Sequence, residues 1–270
     1  MAVSLKNKVV LITGASSGFG KDVAYLFAAE GAKVVLAARR LDRLQRLAAA
    51  IQREGGEAFA VPVDVTQRAE IDLMVRTVIE IYEQIDILFN NAGFGRLDWL
   101  ENLEPVRDID TQIQVNLNGL IHVTRTVLPF MIRRRTGHII NMSSIAGWIA
   151  APSYTIYAAT KYGVRGFTTA LRREVAPYGI KVSGIYPGPA YTEFSWDARK
   201  NHRPKWLNMF FIPSETVSHR VVQIARYPRN SVIIPWWFAW IAWGEAHFPR
   251  VADFLIRTFY TNNQRKSGRK

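Results

Sequence analysis

The chain is 270 residues long, carries a net charge of +13, is 49% hydrophobic and contains no cysteine. That length suits one domain of ordinary to large size, and the absence of cysteine excludes disulfides, thiol catalysis and thiolate metal sites. The start, Met1 to Lys6, has no apolar leader core, so export is not expected and a reducing, cytoplasmic setting fits.

In chain order, Lys8-Val9-Val10-Leu11-Ile12-Thr13 is short, apolar and β-branched, and reads as a buried strand. It runs into Gly14-Ala15-Ser16-Ser17-Gly18-Phe19-Gly20, then into a helical pattern from Lys21 to about Glu30. Strand, glycine turn and helix are what a dinucleotide site needs. The glycines permit a tight turn and close backbone approach, and the helix N-terminus faces the pyrophosphate. Further strands are expected near 33–38, 57–62, 86–89, 137–142, 180–185 and 231–235, alternating with helical stretches. This alternation predicts an α/β fold, with a parallel sheet covered on both faces. No repeat or low-complexity linker divides the chain, which places one catalytic domain at 1–235 and a helical extension at 236–270.

Within Tyr157-Ala158-Ala159-Thr160-Lys161 the first and last residues share one helix face, so an ammonium can sit beside a phenol. A phenol has a pKa of about 10, and a neighbouring cation should favour the phenolate and bring it toward the working range for proton transfer. Ser144 lies thirteen residues upstream.

With these features in order, the sequence resembles the single-domain short-chain dehydrogenases/reductases over roughly residues 6 to 235. The resemblance is carried by several motifs. They are Thr13 ahead of the G-x-x-x-G-x-G spacing, Asp64-Val65 after the third strand, and Asn90-Asn91-Ala92-Gly93 at the end of the fourth. Asn116 in a helix, Ser144 after the fifth strand, Tyr157 with Lys161, and Pro187-Gly188 with Thr192 complete it. It implies a Rossmann-like, doubly wound, seven-stranded parallel sheet. It also implies a nicotinamide cofactor held by Gly14, Ser16, Ser17, Gly18, Phe19, Gly20, Asp64, Val65, Asn91, Ala92, Gly93, Tyr157, Lys161, Pro187, Gly188 and Thr192. Hydride would pass between nicotinamide and a carbonyl or carbinol carbon. Tyr157 would be the acid/base, Lys161 would hold the ribose and lower the Tyr157 pKa, and Ser144 would bond the substrate oxygen. Asn116 would hold a water that links Lys161 to solvent. Blander roles exist for two of these: a Ser at a strand end is commonly a cap, and Asn116 can partner a backbone carbonyl at a helix kink. Relatives commonly pair through the helices carrying Asn116 and Tyr157, implying a homodimer or homotetramer.

The second strand ends at Ala38, where an NAD enzyme typically places a carboxylate, and Arg39 and Arg40 follow. With no carboxylate to repel a 2′-phosphate and a guanidinium to grip it, NADP(H) is the expected cofactor. The alternative is a solvated helix start. The stretch 189–213 is expected to be a substrate lid, and Pro189, Tyr191 and Phe194 in it, with Trp148, Ile149 and Tyr154, are expected to wall the pocket. The lid also holds Trp196, Trp206, Met209, Phe210 and Phe211, a density that suggests a large apolar substrate. Arg199, Lys200, Arg203 and Lys205 offer contacts for an acidic group. The histidines show no ligand-like spacing, and no metal site is expected.

Residues 199–270 carry thirteen Lys and Arg against Glu215, Glu245 and Asp253. These charges accompany an apolar aromatic run, 231–244, rather than a polar groove, which argues against nucleic acid. Pro235 is expected to start a helix, with Trp236, Trp240 and Trp243 on one aromatic face joined by Trp237. A second amphipathic stretch follows Pro249, with Val251, Phe254, Leu255 and Phe259 apolar, and the tail 265–270 is basic. The run is too short to span a bilayer but suits an interfacial anchor on a membrane surface. The competing readings are a pocket cap and a dimer contact, and the sequence leaves all three open. The first functional reading is an NADP(H)-dependent oxidoreductase acting on a lipophilic ketone, aldehyde or secondary alcohol. A 3-oxoacyl-thioester reductase and a non-catalytic, membrane-docked NADP(H)-binding regulator are the alternatives.

Overall fold

A computed structural model describes residues 2–190 and 210–258. Seven strands form one sheet: β1 (Val9–Thr13), β2 (Lys33–Ala38), β3 (Glu57–Pro62), β4 (Ile87–Asn90), β5 (Gly137–Met142), β6 (Ile180–Pro187) and β7 (Ser231–Ile234). Their order is β3-β2-β1-β4-β5-β6-β7. Every pairing is parallel. The expected Rossmann-like, doubly wound α/β fold is the one observed. β1 is buried along its whole length, as a central parallel strand covered on both faces must be.

The side-chain period of two along β1 divides the core. Val10 and Ile12 face one apolar layer and Val9 and Leu11 the other. The first layer is closed by α1 (Gly18–Ala29), α2 (Leu41–Arg53) and α7 (Ser214–Arg226) through Phe27, Leu44, Leu47 and Val221. The second is closed by α3 (Arg68–Tyr82), α5 (Leu120–Arg134) and α6 (Thr155–Val175) through Met74, Val127 and Leu171. α2 forms because Leu44, Leu47, Ala48 and Ile51 recur at helical spacing and are buried together. Each fully buried large side chain, such as Phe27, stabilises the fold by about 1.5–3 kcal/mol.

Before α5 the chain winds through π-helical turns at Pro105–Asp110 and Gln114–Gly119, with α4 (Thr111–Ile113) between them. Beyond β7, α8 (Phe238–His247) and α9 (Pro249–Ile256) pack on each other. Pro235 does not begin α8, contrary to expectation. Residues 235–237 form a turn and the helix starts at Phe238. The order reverses between β1 and β4, and the crevice beyond their C-terminal ends is where such sheets bind ligands.

Candidate active site

The glycine turn sits at that crevice. Gly14 has φ +67, and a Cβ there would lie 2.8 Å from Ala92 Cα; one at Gly20 would lie 2.4 Å from the Gly14 carbonyl oxygen. Only glycine fits either position. The turn is fastened to β4 by Thr13, whose Oγ1 accepts from the backbone N–H of Asn91 (3.0 Å) and Ala92 (3.1 Å). Asn91 Nδ2 in turn donates to the carbonyls of Thr13 and Gly14, at 3.2 Å each. α1 then begins at Gly18 with no side chain capping its first turn and no acid within it. Its amides therefore remain available to an anion, as a pyrophosphate requires. The residues present fit a dinucleotide.

Gly14, Ser16, Ser17, Gly18, Phe19, Arg39, Arg40, Asp64, Val65, Asn91, Ala92 and Gly93 all line one cavity of about 1140 Å³. Gly20 is not in its wall and serves the turn itself. Arg40 donates from Nη2 to Ser16 Oγ (2.9 Å) and Ser17 Oγ (2.9 Å), so its guanidinium stands over the turn. Arg39 approaches Asp64 at 4.0 Å, and Asp64 also accepts from Thr66 N (2.9 Å) and Oγ1 (2.8 Å).

Ser144, Tyr157, Lys161, Pro187 and Gly188 line the same cavity. Ser144 caps the turn after β5, its Oγ accepting from Ala146 N at 3.1 Å, and it is hydrogen-bonded to Tyr157. One helical turn along α6, Lys161 places Nζ 5.5 Å from the Tyr157 ring centre and donates to the Met142 carbonyl at 3.1 Å. Both side chains are buried. Burial pushes the Tyr157 phenol up to about 12, with the Ser144 hydrogen bond pulling weakly the other way. Burial also pushes the Lys161 ammonium down to about 8. The net shift of Tyr157 is thus upward, opposite to what a neighbouring cation alone would produce, because withdrawal from water acts on both groups against their charged forms.

Asn116 lies in the π-helical turn, 1% exposed. Its Oδ1 accepts from Phe94 N (2.9 Å), while its Nδ2 donates to Phe94 O (2.7 Å) and Thr160 Oγ1 (3.3 Å). The amide thus fastens the loop after β4 onto α6, and it does not line the cavity.

The rest of the cavity wall is largely apolar. Tyr154 stands edge-on to Tyr157 with ring centres 6.3 Å apart, and Ile149 and Pro189 join it. Trp148 does not line the cavity. It sits one residue before Ile149 on the opposite side of the turn, under the Arg165 guanidinium (3.2 Å from the ring centre) and edge-on to Tyr186. Phe210 and Phe211 add to the wall, as do Trp237, Phe238, Ile241, Leu255 and Ile256 from the C-terminal helices. Trp237 stacks on Phe238 and meets Phe210, so it belongs to the cavity rather than to the face of Trp236, Trp240 and Trp243. Tyr191, Thr192, Phe194, Trp196, Arg199, Lys200, Arg203, Lys205, Trp206, Met209 and Phe259 lie outside the described residues.

Sequence reasoning missed Phe94, Arg96, Leu97 and Arg107 in the wall; the continuation of the Asn91-Ala92-Gly93 loop was a signal for the first three, and no local pattern marked Arg107, in the turn Pro105–Asp110. It also missed Glu245, which reaches from α8 to accept from Ala150 N at 3.2 Å and joins the extension to the segment after Ser144.

The short chain dehydrogenase family profile matches residues 8–203. An uncharacterised oxidoreductase of Listeria monocytogenes is 41% identical over 193 residues, which span 71% of this chain and 77% of the relative. One from Staphylococcus saprophyticus is 38% identical over 195 residues, covering 71% and 78%. Among solved structures, a short-chain dehydrogenase/reductase from Burkholderia phymatum in complex with NAD superposes with a TM-score of 0.83 at 25% identity, covering 93% of this chain and 96% of that one. A variant of actinorhodin polyketide ketoreductase with NADPH superposes at 0.78 with 28% identity, covering 87% and 97%. The matched profile, the parallel sheet and the glycine turn at its switch point agree: this chain belongs to the short-chain dehydrogenase/reductase family of oxidoreductases, which use a nicotinamide cofactor.

Proposed function

We propose that the protein is an NADP(H)-dependent oxidoreductase interconverting a carbonyl and an alcohol on a lipophilic substrate, with Tyr157 as acid/base. One observation carries this reading. Tyr157, Ser144 and Lys161 line a single cavity that runs from the nucleotide turn to an aromatic wall built partly by α8 and α9. The nicotinamide supplies or accepts the hydride. Tyr157 gives its Oη proton to the carbonyl oxygen during reduction and takes one during oxidation. Ser144 bonds the same oxygen, and Lys161 stabilises the phenolate left behind and returns the proton. Turnover of NADPH with long-chain aldehydes, polycyclic ketones and 3-oxoacyl thioesters tests the reading. Tight NADPH binding with no turnover of any of these would favour a binding protein instead. The thioester branch draws on Arg96 and Arg107, which line the cavity and both pair with Asp108.

The NADP(H) preference is supported by Arg40 beside Ser16 and Ser17 and by the absence of a carboxylate at Ala38. Arg40→Ala is expected to raise KM for NADPH about tenfold or more, since a charge-assisted hydrogen bond contributes about 1.5–3 kcal/mol. KM for NADH should stay within about twofold, and comparing the two by initial rates checks this. An equal loss for both cofactors would dismiss the assignment.

A pH dependence follows from Lys161. Its ammonium persists below about pH 8 and is lost above it, whereas the Tyr157 phenol, raised to about 12, stays protonated throughout this range. Reduction requires the phenol's proton and the neighbouring cation, so kcat/KM should fall on the alkaline side with an inflection near 8, reporting the free enzyme. A profile flat to about pH 10 would show that the Lys161 charge takes no part.

A further inference from the structure

Eight of the large hydrophobic side chains left exposed among the described residues lie between Trp236 and Leu255. The most exposed are Trp236 (71%), Trp240 (67%), Phe254 (58%) and Val251 (56%). Trp236 stands in the turn ahead of α8, Trp240 and Trp243 are three residues apart on α8, and Val251, Phe254 and Leu255 repeat the helical spacing on α9. Because α8 and α9 pack on each other, and Trp243 meets Phe248 at 5.9 Å, these side chains form one outward face of a helical hairpin. An apolar patch of this kind on a monomer marks a contact surface.

The charge around it selects the partner. Residues 236–270 hold six Lys and Arg against Glu245 and Asp253. Glu245 is turned inward onto Ala150 N, which leaves Asp253 as the one acid, on the α9 face shared with Arg250 and Arg257. Four more cations and no acid follow at 265–270. A second copy of this chain would set positive against positive, which opposes association. An anionic lipid surface complements it. Tryptophan prefers the headgroup level, and helices of 10 and 8 residues lie in an interface but cannot cross it.

We propose that the outward face of α8 and α9 docks on an anionic phospholipid bilayer, with Trp236, Trp240, Trp243 and Phe254 inserted at the headgroup boundary. Ile241 and Leu255 line the cavity and are also 48% and 45% exposed at the edge of this face. Docking therefore sets the cavity wall against the lipid, and a membrane-dissolved substrate enters there. This entry route rests on the oxidoreductase reading, whereas the docking does not.

The test is sedimentation of the full chain with phosphatidylcholine vesicles, with and without phosphatidylglycerol. The wild type should pellet with the anionic vesicles and be released by salt. Trp240→Glu/Phe254→Glu should lower the partition coefficient about tenfold or more, because two charges replace interfacial apolar groups. Melting temperature, NADPH binding and turnover of a detergent-dispersed substrate should be unchanged in that variant, which separates docking from catalysis. A wild type that stays in the supernatant, or a double variant that pellets equally, overturns the proposal. So does a dimer that the same double variant dissociates without any vesicle binding, because the face would then join two copies.

Discussion

Tyr157→Phe is expected to lower kcat for carbonyl reduction by about 10²–10⁴-fold, the usual contribution of a positioned general acid, while the dissociation constant for NADPH moves little. The substitution removes one oxygen and leaves the ring. That ring packs with Leu97, Ala146 and Tyr154 in a small buried cluster, so the wall keeps its shape. Ser144 loses the phenol but keeps Ala146 N as a partner, which limits the stability cost to about 1 kcal/mol. Single-turnover rates and NADPH fluorescence titration separate the two effects. Tyr154→Phe is the control, because Tyr154 lines the same cavity and has Ala158, not a lysine, one helical turn on. If Tyr154→Phe abolishes turnover and Tyr157→Phe does not, the acid has been misassigned.

The strands were legible because central parallel strands are largely continuous apolar runs, as β1 and, after Lys33, β2 are in the sequence. The site was legible where chemistry is tied to spacing, as with Tyr157 and Lys161 on α6. It was illegible where it depends on what packs from elsewhere. The run from Trp236 to Trp243 is apolar almost throughout, so periodicity could not separate Trp237, in the turn ahead of α8 and facing the cavity, from Trp240, which faces out. Trp148 follows Ser144 closely in sequence, yet the turn over Ile145–Gly147 carries it behind the wall. The burial that raises the Tyr157 pKa was not legible, because spacing reports a neighbouring charge but says nothing of withdrawal from water. Asn116 was placed beside Lys161 by resemblance, while its partnership with Phe94 depends on a loop whose path no local pattern shows.

Asn116 is where the second large effect is expected. In Asn116→Leu the branched shape at Cγ is kept, but Phe94 N and O lose their partner together, and Thr160 keeps only its bond to the Tyr157 carbonyl (2.7 Å). An orphaned buried polar group costs about 1–3 kcal/mol, and water can reach half-buried Phe94 in part, so the total expected is about 2–4 kcal/mol. Calorimetry should show that as a melting temperature lower by several degrees or more. Turnover should fall about 10²-fold, because the loop from Gly93 to Leu97 loses its hold over Lys161 and Tyr157. Asn116→Asp separates fastening from electrostatics. Its carboxylate can still accept from Phe94 N but cannot donate to Phe94 O, and it brings an anion near the site: a methyl at Gly93 would lie 3.1 Å from Asn116 Oδ1 and 3.7 Å from Lys161 Nζ. A nearby anion favours the ammonium, so the Lys161 pKa should rise and the alkaline limb of kcat/KM should move above 8. In Asn116→Leu the limb should stay in place while the amplitude drops. If neither variant changes the pH profile or the melting temperature, Asn116 neither fastens the loop nor shares the site with Lys161.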